Sequence, residues 1–400
     1  MAEDAQATPD SKMEEMKEAQ ILEEMATKQG DAEVQFLGFN TLRKRVWPAN
    51  IALKPKRDRE GQMIGTVDNP ISPWPEVINA VVCAMETHPD NVIVTESACA
   101  ALLFYYEEVC TYDTVSSQRP ASTMSPRVIK AVIASLRREK AEVHDDADIK
   151  AMRVLWTMTP VRTTLQDIMD AEGIDVLQSV LLRHPSNRYI IERAYALFDH
   201  IARNFAMELA VSSSMLESLR QVIQYERPAG MIILTMTHIT DAPPADWAEA
   251  DAADFLKHTQ NNITALRPGV GWILATMQIH MKSIHVVVFS LKLLTNMAQN
   301  AGSKDMAQCI NKGLGFNMVL EIMKYFPMNH EPQLHCAKAI WALLFVGGVE
   351  TVEEDGKRRA NQMLRAATAR FNAPGQLELR TVAKKVRELI NLDPIEVDDM

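Results

Sequence analysis

The sequence predicts an all-α protein whose helices form a serial, repeating array. Three observations carry that prediction. The 400 residues hold only 15 glycines against 23 methionines, and few glycines with many long unbranched side chains favour helix over a turn-rich β fold. One apolar pattern opens three separate segments. One proline-containing turn recurs with a matching helix behind it.

The apolar openings are Val77-Ile78-Asn79-Ala80-Val81-Val82, Val128-Ile129-Lys130-Ala131-Val132-Ile133 and Val176-Leu177-Gln178-Ser179-Val180-Leu181. Each reads apolar pair, polar residue, small residue, apolar pair. Positions i, i+1, i+4 and i+5 fall on one stripe of a helix. The openings lie 51 and 48 residues apart, slightly beyond the spacing of about 40–47 usual for repeats of two or three helices.

The recurring turn is His88-Pro89-Asp90-Asn91, leading into Glu96-Ser97-Ala98-Cys99-Ala100. It returns 96 residues later as His184-Pro185-Ser186-Asn187, leading into Glu192-Arg193-Ala194-Tyr195-Ala196. Proline ends the preceding helix, asparagine suits the cap of the next, and alanine lets neighbouring helices approach closely. Further along, Met215–Gln224 reads as another opening helix, Trp272–Met281 with Ile284–Met297 as a pair, and Phe316–Phe326 with Gln333–Phe345 as another. About six repeats are expected between residues 76 and 346. A final helix, Leu377–Leu389, carries Leu379, Val382, Val386 and Leu389 on one stripe and is suited to cap the open end.

The His-Pro-x-Asn turn, the Glu-x-Ala-x-Ala helix and the openings Glu172-Gly173-Ile174 and Lys312-Gly313-Leu314 resemble armadillo repeats of the armadillo/HEAT superfamily. The resemblance covers about two thirds of the chain. It implies an α-solenoid, a right-handed superhelix with a concave protein-binding groove. Nuclear-import receptors of that family carry regular Trp and Asn arrays. Here Trp156 is followed by Thr157-Met158-Thr159, Trp341 by Ala342-Leu343, and only Leu294-Thr295-Asn296 supplies an Asn, which argues against nuclear-signal recognition.

The expected organisation is a charged, partly disordered N-terminal helix in 1–30, a basic and proline-containing extended arm in 31–75, the repeat domain in 76–390 with an acidic insertion near 241–254, and an acidic tail in 391–400. Within residues 43–59 of the arm, Arg43, Lys44, Arg45, Lys54, Lys56, Arg57 and Arg59 stand against one acid, Asp58, on a chain of net charge −10. That contrast suits an acidic surface such as tubulin, nucleic acid or lipid, or else a solvated linker. Trp74 stands among Pro70, Pro73 and Pro75, and Trp247 lies in the acidic insertion. Tryptophan is enriched at binding hot spots, although both positions also suit packing or plain solvation. The candidate partner-binding residues are therefore Arg43, Lys44, Arg45, Lys56, Arg57, Arg59, Trp74 and Trp247.

The net charge opposes whole-molecule binding to nucleic-acid phosphates, so no nucleic-acid partner is expected. The five cysteines form no CxxC pair and read as reduced thiols, and no apolar run reaches membrane-span length. The acidic N-terminus resembles neither a secretory signal nor a transit peptide, and a cytoplasmic setting is expected. There is no GxxxxGK[ST], GxGxxG, GxSxG or HExxH pattern. His280 and His285, like His330 and His335, are five apart, which does not place two zinc ligands on one helix face. His88, His184, Glu96 and Glu192 recur with the repeat, as turn geometry requires and catalysis does not. No metal, cofactor or enzymatic activity is expected. The function expected is a non-catalytic scaffold or structural subunit of a multiprotein assembly, with cytoskeletal or ciliary assemblies suggested by the family analogy. The alternative is a transient adaptor that binds a peptide in the groove.

Overall fold

The computed structural model describes residues 13, 16–52, 56–57, 63–64, 74–104, 126–137, 145–159, 162–243 and 248–390, and only the backbone of 18, 43–52, 56–57, 63–64, 74–75, 104 and 162. Their regular structure is helical, with turns between helices, except for a two-residue antiparallel ladder, β1 (Lys56–Arg57) with β2 (Met63–Ile64), in which Lys56 opposes Ile64. The chain divides into two compact units, residues 1–184 and 185–400.

The first unit contains α1 (Glu18–Thr27), α2 (Ala32–Ala52), α3 (Trp74–Thr87), α4 (Val92–Phe104), α5 (Pro126–Leu136), α6 (Asp145–Met158), α7 (Arg162–Asp170) and α8 (Gly173–Arg183). They pack as two rows. In one, α2 meets α4 and α4 meets α6; in the other, α1 meets α3, α3 meets α5 and α5 meets α8. The pairs α1–α2, α3–α4 and α5–α6 join the rows. Buried Val77, Val81, Val128, Ile129, Val132, Ile133, Val176, Leu177 and Val180 are the apolar openings of the sequence pattern, now facing the space between rows.

The second unit contains α9 (Arg188–Asn204), α10 (Ser213–Val222), α11 (Glu226–Ile239), α12 (Glu249–Leu266), α13 (Val270–Ile279), α14 (Ile284–Asn300), α15 (Lys304–Lys312), α16 (Gly315–Tyr325), α17 (His330–Gly347), α18 (Glu354–Arg370) and α19 (Leu377–Leu389). One row runs α9, α11, α14, α17, α19, each helix against the next. The other runs α10, α13, α16, α18. Helix α9 shows the local logic. Ile190, Ile191, Ala194, Tyr195, Leu197, Phe198 and Ile201 are buried at helical spacing, and the Asn187 side chain accepts hydrogen bonds from the amides of Tyr189 and Ile190. Asn91 caps α4 in the same way through the amides of Ile93 and Val94.

Two more devices repeat. His88, His184 and His280 each stand four residues before the helix that follows, and successive members are 96 residues apart. His88 Nε2 donates to the Gln29 carbonyl at 2.7 Å, and His280 Nε2 donates to the Ile223 carbonyl at 2.8 Å. Gln29 and Ile223 both lie three residues before a row helix, α2 and α11, so the histidine ties one helix-pair turn to the preceding one. His184 instead meets carboxylates, with Nδ1 2.8 Å from Asp145 and Nε2 2.9 Å from Asp148. The second device is a buried glutamine. Gln333 Nε2 donates to the carbonyls of Met323 and Phe326, and Gln35 Nε2 donates to those of Met25 and Lys28. The acceptors lie ten and seven residues upstream in both cases, so α1–α2 closes with the geometry of α16–α17.

These observations correct several expectations. Residues 32–52 are helical and form a helix pair with α1, where the sequence suggested an arm; Met25, Phe39 and Leu42 are buried there. Trp74 and Pro75 open α3, a first-turn position where proline's missing N–H costs nothing. The acidic stretch becomes helical at Glu249, and Glu249 and Asp251 in the first turn of α12 suit the positive end of its dipole. The counterpart of Gly173 is Gly315, not Gly313. Each follows a residue of positive φ, Glu172 (60°) or Leu314 (67°), and a Cβ on either would press on the carbonyl oxygen of Ile168 or Ile310, 2.6 or 2.8 Å away.

Candidate partner-binding surface

The residues singled out in the sequence do not converge on one described site. Arg43, Lys44 and Arg45 lie on α2, Lys56 and Arg57 form β1, and Trp74 begins α3. Arg59 and Trp247 lie outside the described residues, as do residues 391–400 and Cys110.

The recurring glutamates acquire partners. Glu96 on α4 meets Lys150 on α6 at 2.5 Å, and Glu192 on α9 meets Arg227 on α11 at 3.1 Å. Each pair crosses from one row helix to the next. The same row in the second unit continues with the opposite polarity. Lys292 on α14 stands 4.0 Å from Glu331 on α17, and Lys338 on α17 stands 2.6 Å from Glu378 on α19. The Lys338 hydrogen bond holds the Glu378 carboxyl below its ordinary range. His335, half-buried with Lys292 and Lys338 beside it, is pushed down to about 4, chiefly by desolvation. It is therefore a neutral member of the row at pH 7.

Polar groups deeper in the row are also engaged. Asp199, buried on α9, accepts from His238 Nδ1 at 2.7 Å and from Arg203 at 2.7 Å, so its charge is satisfied. Asn296 donates to the Thr237 carbonyl and to Asp241, whose carboxyl burial pushes upward. Among the described residues no group of three or more His, Cys, Asp and Glu side chains is placed to hold a metal ion.

Against this paired background two exposed clusters stand out. On α17, Trp341 and Phe345 stack with ring centroids 4.9 Å apart and planes 11° from parallel, and Phe345 is 60% exposed. Lys385 Nζ on α19 lies 5.7 Å from the Trp341 ring centroid. Near the start of α9, the Arg188 guanidinium lies 4.7 Å from the Tyr189 ring and 5.2 Å from the Tyr225 ring, with both tyrosines exposed. Aromatic side chains and arginine are the residue types that anchor protein interfaces. Sequence reasoning missed both clusters. The helical spacing of Lys338, Trp341 and Phe345 was a usable signal for the first; Tyr225 meets Arg188 only through packing of α9 on α11.

No protein-family model matches the chain, and no curated protein matches it. Functional inference therefore rests on the site itself.

Proposed function

We propose that this chain is a non-catalytic protein-binding scaffold, an α-solenoid of armadillo-like repeats that serves as a structural subunit of a larger multiprotein assembly. The observation that carries this reading is the serial packing of row helices within each unit, in which each helix buries its apolar stripe only against its neighbours. Such packing leaves long side faces available to partners. Ion pairs join one row helix to the next, as Glu96–Lys150, Glu192–Arg227 and Lys338–Glu378 do. No described helix is long and apolar enough to cross a membrane. By the sequence resemblance alone, a cytoskeletal or ciliary assembly is the setting to examine first.

Affinity purification of the tagged chain from its native cells tests the reading. A constant set of partners in fixed stoichiometry, retained through moderate salt, is expected. Recovery solely as a free monomer refutes it. The second reading, an adaptor that binds peptides in the groove, is favoured by the open aromatic pair on α17, and a partner set that changes with cell state would select it.

A further inference from the structure

We infer that the corner formed by Trp341, Phe345 and Lys385 docks a partner-protein segment in which a carboxylate side chain stands beside a large apolar one. This rests on the scaffold reading and assigns chemistry to one of its contacts.

Lys292 stands eight residues after Ile284, the first residue of α14, and meets Glu331, the second residue of α17. Lys338 stands eight residues after His330 and meets Glu378, the second residue of α19. Lys385 stands eight residues after Leu377, so it is the third lysine of one series. Among the described residues no carboxylate lies within ion-pair distance of it. Among the described residues it is the rung of the charge ladder that faces no acid. Its neighbour Lys384 has Glu388 at 3.9 Å, so the unbalanced cation belongs to Lys385.

The apolar half of the corner is already ordered. The Trp341–Phe345 stack holds the exposed Phe345 ring in place before anything binds, which lowers the entropy cost of docking. A purely apolar partner would cover Lys385 without pairing it, and that desolvation is unfavourable. A basic segment meets repulsion. A nucleic-acid strand needs several unneutralised cations, and here two of the three lysines already face glutamates on a chain of net charge −10. A side-chain carboxylate next to a leucine- or phenylalanine-sized group satisfies both halves at once.

The test uses the full chain and two fluorescein-labelled decapeptides, one with Glu-Leu-Phe-Glu at its centre and one with Lys-Leu-Phe-Lys, read by anisotropy. The acidic peptide is expected to bind at least tenfold tighter. Lys385→Glu should abolish that preference. Phe345→Ala should weaken binding tenfold or more without moving the thermal midpoint, because Phe345 is exposed. Equal binding of the two peptides, or an unchanged preference in Lys385→Glu, overturns the inference. In a further variant Asp393, Glu396, Asp398 and Asp399 become Asn or Gln. If the acidic peptide binds only that variant, the chain's own acidic segment occupies the corner and the partner assignment fails. A native assembly that retains Lys385→Glu unchanged, with no peptide preference, sinks this site and leaves the scaffold standing. A monomer that binds acidic peptides through Lys385 does the reverse.

Discussion

Replacing Gln333 by leucine removes one side chain and opens two hydrogen bonds at the turn between α16 and α17. The glutamine is buried, and its Nε2 donates to the Met323 carbonyl at 2.6 Å and the Phe326 carbonyl at 3.0 Å. The two acceptors differ in what remains. Phe326 keeps a bond from the Asn329 amide at 3.2 Å. The helical partner of the Met323 carbonyl would be the amide of residue 327, which is proline and has no N–H. Met323 is thus left as a buried acceptor without this donor, a loss of about 1–3 kcal/mol, and the Phe326 bond adds about 1 kcal/mol. Leucine recovers about 1 kcal/mol through apolar burial and the absent amide. The net expectation is a loss of about 2 kcal/mol, or a roughly thirtyfold larger equilibrium constant for opening of the α16–α17 turn. Hydrogen exchange across residues 315–347, with urea unfolding followed by circular dichroism, measures it. Gln35→Leu should cost less in the first unit, because the residue four after Met25 is Gln29, whose amide can take the place of the lost donor, whereas Pro327 has none to offer. A loss below about 0.5 kcal/mol for Gln333→Leu refutes the role assigned to the clamp.

The remaining predictions concern a histidine and a turn. His335 has its folded pKa depressed from 6.5 to about 4, so between those values the unfolded chain takes up a proton that the folded chain refuses. Stability therefore falls as pH drops through that window, by an amount on the order of 2 kcal/mol. His335→Gln should flatten the fall in urea midpoint between pH 7 and pH 5. The depressed Glu378 carboxyl acts only below its ordinary 4.5, and His200, also pushed down by burial, is left in place as an internal reference. An unchanged slope would contradict the assignment. At the start of α16, Gly315→Ala should lose about 1–3 kcal/mol by crowding Ile310, whereas Leu314→Gly should gain about 0.5–1 kcal/mol by relieving a positive φ at an exposed residue. Equal signs at the two positions, read from thermal midpoints, would defeat that account.

The helical array was legible because burial leaves a periodic trace. The openings at Val77, Val128 and Val176, the capping asparagines Asn91 and Asn187, and the bounds of Leu377–Leu389 all appear in the structure where the pattern placed them. Helix α2 was misread for a physical reason. Its basic residues Arg43, Lys44 and Arg45 and its Pro48 dominate the composition and mask the apolar positions before them, of which Phe39 and Leu42 are buried. The cue that would have identified it is Gln35, whose meaning appears only when it is set beside Gln333. Helices α15 and α18 were passed over because polar side chains alternate with sparse buried positions such as Met306, Ala307, Ile310, Ala360 and Leu364.

Charge was harder to read than periodicity, and the reason is the distance over which it pairs. Glu96 and Lys150 are 54 residues apart in sequence, and Glu192 and Arg227 are 35 apart, so neither pair shows in a local window. Once the row helices are in register the same glutamates become rungs between repeats. The recurrence of Glu96 and Glu192 then has a mechanical cause. That register also separates a spent lysine from an available one. Lys292, Lys338 and Lys385 are spaced 46 and 47 residues apart and would look equivalent in the sequence. Two of them face a glutamate at the start of the following row helix. The third leans over Trp341 with its outward side open. Lys385 is thus the lysine of this series that faces no glutamate among the described residues, and it lies beside an exposed aromatic pair, which is where a carboxylate from another protein would gain both a cation and an apolar contact.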